Sequence, residues 1–449
     1  YFLTIAFVVS LTGVYAQSQT WRAMYKVKKK DTLFGIAKKH DVTIPELMEV
    51  NPEMKLEGYS LKKGDYIYIP YAKNGKTITP APVASVQKPE KHSIDVRNRA
   101  INVGIMLPLH NIDGDGKRMV EYYRGLLMAC DSLKAEGIST NVSAWNVAID
   151  TDINTILQDA KAKECDIIFG PLYTKQVKAL SNFCKANHIS MVIPFSISGN
   201  DVASNPKIFQ VYQDTNVFNE KSINAFVERF PNHHAVFVDC NDTTSKKGVF
   251  TFTLRKRLEE RGLEYSITNL KSSEVSFAKA FSSTQPNVVI LNTGRSPELN
   301  VALAKLDGLK ANNPSLSVSL FGYKEWLLYT KVYLNYFHKY NAYIPTVFYY
   351  NPLEAKTRNL ENNFRRWFKT DLQYALPRFA ITGYDQANFF LRGLHSYGQS
   401  FKGGKGTVQY KPLQTPLYFK NVGEKGGFTN QNFMLVHYNR NQIIEAINY

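Results

Sequence analysis

Between Asp166 and Thr174 the chain reads Asp-Ile-Ile-Phe-Gly-Pro-Leu-Tyr-Thr. The apolar run Ile167–Phe169 is too short for a helix and does not alternate, so it predicts a strand buried on both faces. Gly-Pro closes the run. Thr174 is placed to cap a following helix, on which Val177, Leu180 and Phe183 recur at helical spacing. A second apolar run, Met191–Pro194, opens into a polar loop from Phe195 to Asn200. Strand, helix and strand make a βαβ unit, with parallel strands and a right-handed crossover. Both loops then leave the same C-terminal sheet edge, where open α/β sheets bind ligands.

The alternation recurs on either side. Ile101–Leu107 predicts a buried strand, and Lys117–Leu133 a helix with Val120, Tyr123, Leu127 and Cys130 on one face. Val142–Ile149 predicts a strand and Ile153–Ala162 a helix. A second series runs Ala235–Asp239, Thr251–Arg261, Val288–Asn292, Pro297–Leu306 and Val318–Phe321, alternating strand and helix. Two such series predict two α/β lobes with parallel sheets. Tyr384–Tyr397 is a late amphipathic helix. Val408–Tyr449, rich in Gly and aromatic residues, is expected to finish the fold as a small β layer.

A smaller unit precedes these lobes. Tyr25–Val27 and Tyr66–Ile69 predict strands around two helices, one opened by Asp31 and one by the capping-box pattern Thr43-Ile-Pro-Glu46. Asn51-Pro52 ends the second helix. This βααβ order closely resembles a lysin motif (LysM). The resemblance rests on Tyr25, Val27, Asp31-Thr32-Leu33, Ile36-Ala37, Thr43, Leu47, Asn51, Leu61, Gly64 and Ile69-Pro70. Lys30 departs from it, where a Gly usually precedes the Asp. The resemblance implies binding to N-acetylglucosamine-containing glycan, hence peptidoglycan. It places the contacts on Asp31, Thr32, Leu33 and Phe34, then on Asn51, Pro52, Glu53 and Met54. Asp31, Leu33 and Asn51 are also suited to capping and packing alone.

The larger region resembles the type 1 periplasmic-binding-protein fold, as in branched-chain amino-acid receptors. The matching residues are Val103-Gly-Ile-Met-Leu-Pro-Leu109, Arg124-Gly-Leu, Ile168-Phe-Gly-Pro171, Pro194-Phe-Ser and Gly383-Tyr-Asp-Gln386. Outer-membrane activators of peptidoglycan synthases share this fold. The resemblance implies a ligand cleft between lobes, lined by hydroxyls and backbone N–H groups at strand ends. Matching positions in the first lobe are Tyr173, Thr174, Ser196 and Ser198. Topology adds Asp239, Thr293 and Tyr323 from the second.

The expected organisation is a signal peptide at 1–16, a LysM domain at 22–71, a Pro- and Lys-rich linker at 72–99 and a two-lobed domain at 100–449. The apolar run Phe2–Val14, followed by Val14-Tyr15-Ala16, is the basis for expecting export and cleavage after Ala16; an uncleaved anchor is the alternative. No later stretch is long enough to span a bilayer. Pro80, Pro82 and Pro89 predict an extended linker.

The net charge of +17 favours anionic partners, namely cell-wall polymer, lipid headgroups or nucleic acid, and export argues against the last. A merely solvated surface is the other reading. The four cysteines lack zinc-ligand spacing; they read as buried thiols, with a Cys165–Cys184 disulfide as the alternative. No phosphate loop, HExxH helix, GxSxG elbow or cysteine-peptidase context occurs. No cofactor, metal or catalytic residue is expected. Two functions stand: a cell-wall-associated receptor for an amino-acid-like or peptide-like ligand, or an interaction module for an envelope protein partner such as a peptidoglycan synthase.

Overall fold

The computed structural model describes residues 21–29, 31–51, 54, 61–70, 96–195 and 199–449. The expected signal peptide, and the expected linker through residue 95, lie outside the described residues. Two compact units result, Tyr1–Glu90 and Lys91–Tyr449.

In the small unit, β1 (Trp21–Lys26) pairs antiparallel with β2 (Tyr66–Pro70), and α1 (Leu33–Lys39) and α2 (Ile44–Val50) lie between them in sequence. Thr43 and Glu46 form the expected capping box, with Thr43 N donating to Glu46 Oε2 at 2.8 Å. Asp31 does not cap α1. Thr32 does, accepting from Gly35 N at 3.0 Å, because it stands one residue nearer the first turn. Asp31 instead accepts from Lys28 N at 2.7 Å and Tyr25 Oη at 2.9 Å, closing the loop before the helix. Val27, Ile36, Ala37, Leu47, Met54, Ile67 and Ile69 fill the core.

The large unit is an α/β fold of two lobes. The first carries β3 (Ile101–Leu107), α3 (Gly114–Ala135), β4 (Thr140–Asn146), α4 (Ile153–Ile156), α5 (Ala160–Lys163), β5 (Ile167–Phe169), α6 (Thr174–Ala186), β6 (Ser190–Ile193) and β7 (Ile208–Gln210). The second carries α7 (Thr215–Arg229), β8 (His234–Asp239), α8 (Gly248–Glu260), β9 (Tyr265–Asn269), α9 (Glu274–Ala278), β10 (Asn287–Leu291), α10 (Ser296–Asn312), β11 (Val318–Phe321), α11 (Thr330–Lys339) and β12 (Ala342–Thr346). The chain then returns to the first lobe through α12 (Ala355–Phe368), α13 (Phe379–Tyr397), β13 (Phe419–Asn421) and β14 (Phe428–Asn430). It crosses again to end in β15 (Met434–Tyr438) and β16 (Ile444–Asn448). Each lobe has a seven-stranded sheet, ordered β13-β14-β7-β6-β5-β3-β4 and β16-β15-β12-β11-β10-β8-β9. Pairing is parallel except for β13 against β14, β15 against β12 and β16 against β15.

Several local expectations are corrected. The segment after Val408 forms no separate layer; its strands complete both sheets, and this divides the C-terminus between the lobes. The helix expected over 153–162 is two single turns, because Asp159 leaves helical geometry and caps the second. Thr174 is the first residue of α6 rather than its cap; Tyr173 holds that position, and its side chain makes no capping hydrogen bond. On α3 the buried stripe is Met119, Tyr122, Leu126, Ala129 and Leu133, displaced by one residue from the expected face, although Cys130 is buried as well. The helix packs on both the sheet and α13, so two of its faces are apolar. All four cysteines are free and buried. Val96 is fully buried in the first lobe's core, and Arg99 forms a bidentate pair with Asp166 at 2.7 and 2.8 Å. The last residues of the expected linker therefore belong to the folded unit.

The first lobe depends on close contact between α3 and α13. A Cβ at Gly125 would lie 1.8 Å from the Ala380 carbonyl oxygen, and one at Gly383 would lie 2.1 Å from that of Tyr122. Backbone cannot retreat as a flexible side chain can. We expect Gly125→Ala to lower unfolding free energy by about 3 kcal/mol in urea titration. Gly308→Ala, on the exposed side of α10 where a Cβ meets nothing, should instead raise it by about 1 kcal/mol.

Candidate functional site

The chain passes between the two sheets after β7, after β12 and after β14, and these three segments are bonded to one another. Gln213 Nε2 donates to the Asn432 carbonyl at 2.5 Å, and Asn432 Nδ2 donates to the Val347 carbonyl at 2.7 Å. Tyr349 N donates to the Gln414 carbonyl at 2.9 Å. Residues 413–415 are pinned in turn by the fully buried carboxylate of Asp385 on α13. It accepts from Leu413 N, Gln414 N and Thr415 N at 2.8–2.9 Å and from Tyr410 Oη at 2.6 Å. Burial pushes this carboxyl up to about 6, against the four donors that favour its charged form.

Above this hinge lies a cleft of about 540 Å³, within the ~300–1,000 Å³ range of small-molecule sites. Its floor includes Val211, Gln213, Val347 and Thr415. The first-lobe wall is Pro194 and Phe195 beyond β6, with Pro377, Thr382 and Gln386. Tyr122 Oη donates to Gln386 Oε1 at 2.6 Å, and Phe195 packs edge-on against Tyr122. The second-lobe wall comes from the ends of β8, β10 and β11, which parallel pairing brings to one edge.

Asp242 ties two of those loops together. It accepts from Thr244 Oγ1 at 2.6 Å and Thr293 Oγ1 at 2.7 Å, and Arg295 Nη1 lies 3.4 Å away. The two threonine hydroxyls, Thr244 foremost, pull its carboxyl down to about 2, so it stays charged. Lys247 donates to Glu325 at 2.8 Å and lies 4.6 Å above the Tyr323 ring. Tyr323 Oη donates to the Leu291 carbonyl, and burial holds the phenol well above its usual range. Three buried atoms on the cleft's lining residues have no hydrogen-bond partner: Gln213 Oε1, Glu325 Oε2 and Thr415 Oγ1.

Of the expected cleft residues, Thr293 and Tyr323 line it. Asp239, Tyr173 and Thr174 do not. Asp239 is occupied by Asn241 N, Asn269 and Asn292 behind the edge, and Tyr173 donates to Asp115 at 3.2 Å. Ser196 and Ser198 lie outside the described residues. The acidic residue that organises this edge is Asp242, three positions beyond Asp239, inside the polar and basic run Asn241–Lys247 that separates strand from helix.

The small unit and the large one have known counterparts. Residues 25–70 match the LysM domain family. This unit is a LysM domain. The large unit matches type 1 periplasmic binding proteins in structure. A protein assigned as a branched-chain amino acid ABC transporter from Rhodospirillum rubrum superimposes with a TM-score of 0.54 at 14% identity. The match covers 78% of this chain and 100% of that one. A branched-chain amino acid ABC transporter periplasmic ligand-binding protein from Burkholderia xenovorans gives 0.48 at 11% identity, covering 77% and 94%. The first of these, at 14% identity, shows the fold alone. No curated protein matches the chain.

Within the LysM domain the expected glycan residues divide by burial. Thr32 is exposed, and Phe34 is 57% exposed on the loop-side end of α1. Asn51 is fully buried: its Nδ2 donates to Leu47 O and Tyr68 O, and its Oδ1 accepts from Tyr68 N, all at 2.7 Å. Met54 lies in the core and Leu33 packs against it. Asn51 and Met54 are thus corrected to structural roles, since neither can reach a ligand without unpacking the fold. Pro52 and Glu53 lie outside the described residues. Among the described residues no helix is long and apolar enough to cross a membrane, and no cluster of His, Cys, Asp or Glu could hold a metal.

Asp385→Ala would leave three buried backbone N–H groups and the Tyr410 hydroxyl without their acceptor. We expect a loss of about 3 kcal/mol or more in urea unfolding. Asp385→Asn, which keeps one acceptor oxygen, should cost less.

Proposed function

We propose that this chain is an exported, non-catalytic binding protein of the cell envelope. Its LysM domain holds peptidoglycan glycan, and its two-lobed domain takes a small amino-acid-like or peptide-like ligand in the cleft. The observation that carries the second half is the open cleft between the two lobes, lined by Gln213, Thr293, Tyr323 and Gln386 among apolar rings. Phe195 belongs to the wall and leaves the cavity open, which supports a small ligand over a filled, apolar cleft. The glycan half rests on the LysM match, with Thr32 and Phe34 as the exposed contacts.

We expect the full chain to sediment with insoluble peptidoglycan and Phe34→Ala to weaken that association. Equal recovery with and without peptidoglycan would defeat the glycan assignment. For the cleft, a ligand bridging both lobes at a hundred times its dissociation constant should stabilise the fold by about 2.7 kcal/mol. A thermal-shift screen of amino acids, short peptides and muropeptides reads this. If none moves the midpoint, the receptor reading gives way to that of a module for an envelope protein partner.

A further inference from the structure

Helix α12 carries a charged face that neither the core nor the cleft uses. Its buried side is Thr357, Leu360 and Phe364; the last two pack with Met128 of α3 and Ile381 of α13. On the other side Arg358, Asn362, Arg365 and Arg366 recur at helical spacing, and Lys369 follows at the C-cap. All five are exposed.

Carboxylates do not neutralise this face. Asp371 pairs with Arg365 at 2.6 Å, with both side chains mostly in solvent. The two acids of the neighbouring sequence are engaged elsewhere, Glu354 by Lys411 at 3.0 Å and Glu361 by the Tyr350 hydroxyl at 2.6 Å. Among the described residues Arg358, Arg366 and Lys369 have no carboxylate partner. Helix stability does not explain the pattern either. Cations suit a helix C-terminus, where Arg365 and Arg366 stand. Lys356 and Arg358 lie in the first turn, which holds no acid and where the dipole disfavours positive charge. A second feature flanks the cations. Trp367 is 44% exposed at the C-terminal end, and Leu353 is 78% exposed just before the N-terminal end.

We propose that this face of α12 docks on an anionic phospholipid surface. Arginine forks match phosphate oxygens two at a time. An indole, with an apolar body and one polar N–H, suits the headgroup level of a bilayer. Trp367 therefore favours a bilayer over a soluble phosphate polymer, which offers the ring no apolar phase. The contact is peripheral. The apolar side of α12 stays in the core, so charge sets the binding, and Trp367 and Leu353 add shallow insertion. This docking adds to the glycan and cleft assignments and depends on neither.

The test is sedimentation of the full chain with vesicles of phosphatidylethanolamine and phosphatidylglycerol, beside vesicles of phosphatidylcholine alone. Binding should require phosphatidylglycerol. The net charge of +17 attracts anions to the whole chain, so two variants of equal charge are compared. One is Arg358→Gln/Arg365→Gln/Arg366→Gln/Lys369→Gln. The other is Lys134→Gln/Lys161→Gln/Lys163→Gln/Lys178→Gln, at exposed positions elsewhere in the first lobe. The first should bind at least about tenfold more weakly than the second. Tryptophan emission should move to the blue when vesicles bind, and Trp367→Phe should remove most of that shift. Equal binding by the two quadruple variants, or an emission shift that Trp367→Phe leaves unchanged, overturns the proposal. Vesicle binding with no emission shift assigns the face to phosphate alone and overturns it too. None of these outcomes bears on the glycan or cleft reading.

Discussion

The large domain depends on keeping three buried crossing segments hydrogen-bonded at the junction of its lobes. Backbone polar groups at that depth need partners. The side-chain amides of Gln213 and Asn432 supply them between segments distant in sequence, 219 residues apart for Gln213 and Asn432 and 85 for Asn432 and Val347. The crossings are short, so the two sheets present their loop-bearing edges to the same cavity. Short crossings are also where a hinge can absorb rotation between lobes. The floor of the cleft is thus made of hinge atoms, which links occupancy of the site to the geometry of the fold.

Around that floor the lobes divide the chemistry. The first contributes rings, prolines and neutral amides backed by the α3–α13 contact, where glycines let two backbones approach. Tyr122, placed by that contact, orients Gln386 on the cleft wall. The second contributes charge, ordered by Asp242 and by the Lys247–Glu325 pair over Tyr323. Asp385 acts at a distance from both: by gathering three successive N–H groups it holds Thr415 at the edge of the cavity. The LysM domain repeats the device on a smaller scale, with Asn51 closing α2 onto β2.

Much of this architecture was legible in the chain. Ile167–Phe169 and Val318–Phe321 are strands as their apolar runs require, because parallel strands bury both faces and leave no alternation to misread. The capping box at Thr43 is local chemistry, complete within four residues. The order of strands and helices also announced two lobes and the edge from which their loops emerge.

The residues that face the cleft were decided by tertiary structure. Asp239 closes β8 and Asp242 lies three residues on, in the loop that follows, and nothing local ranks them. Thr293, 51 positions away, selects Asp242 by donating to it. Likewise Asn51 could read as a glycan contact or as a packing residue, until β2 folded back and engaged both its amide nitrogen and its oxygen. The C-terminal strands could be recognised as short β segments, but their division between two sheets rests on edges contributed by β7 and β12. Periodicity reports whether a position is buried, since that depends on its own side chain and near neighbours. Which polar groups pair, and which remain free to meet a ligand, depends on partners that only the folded chain brings within reach.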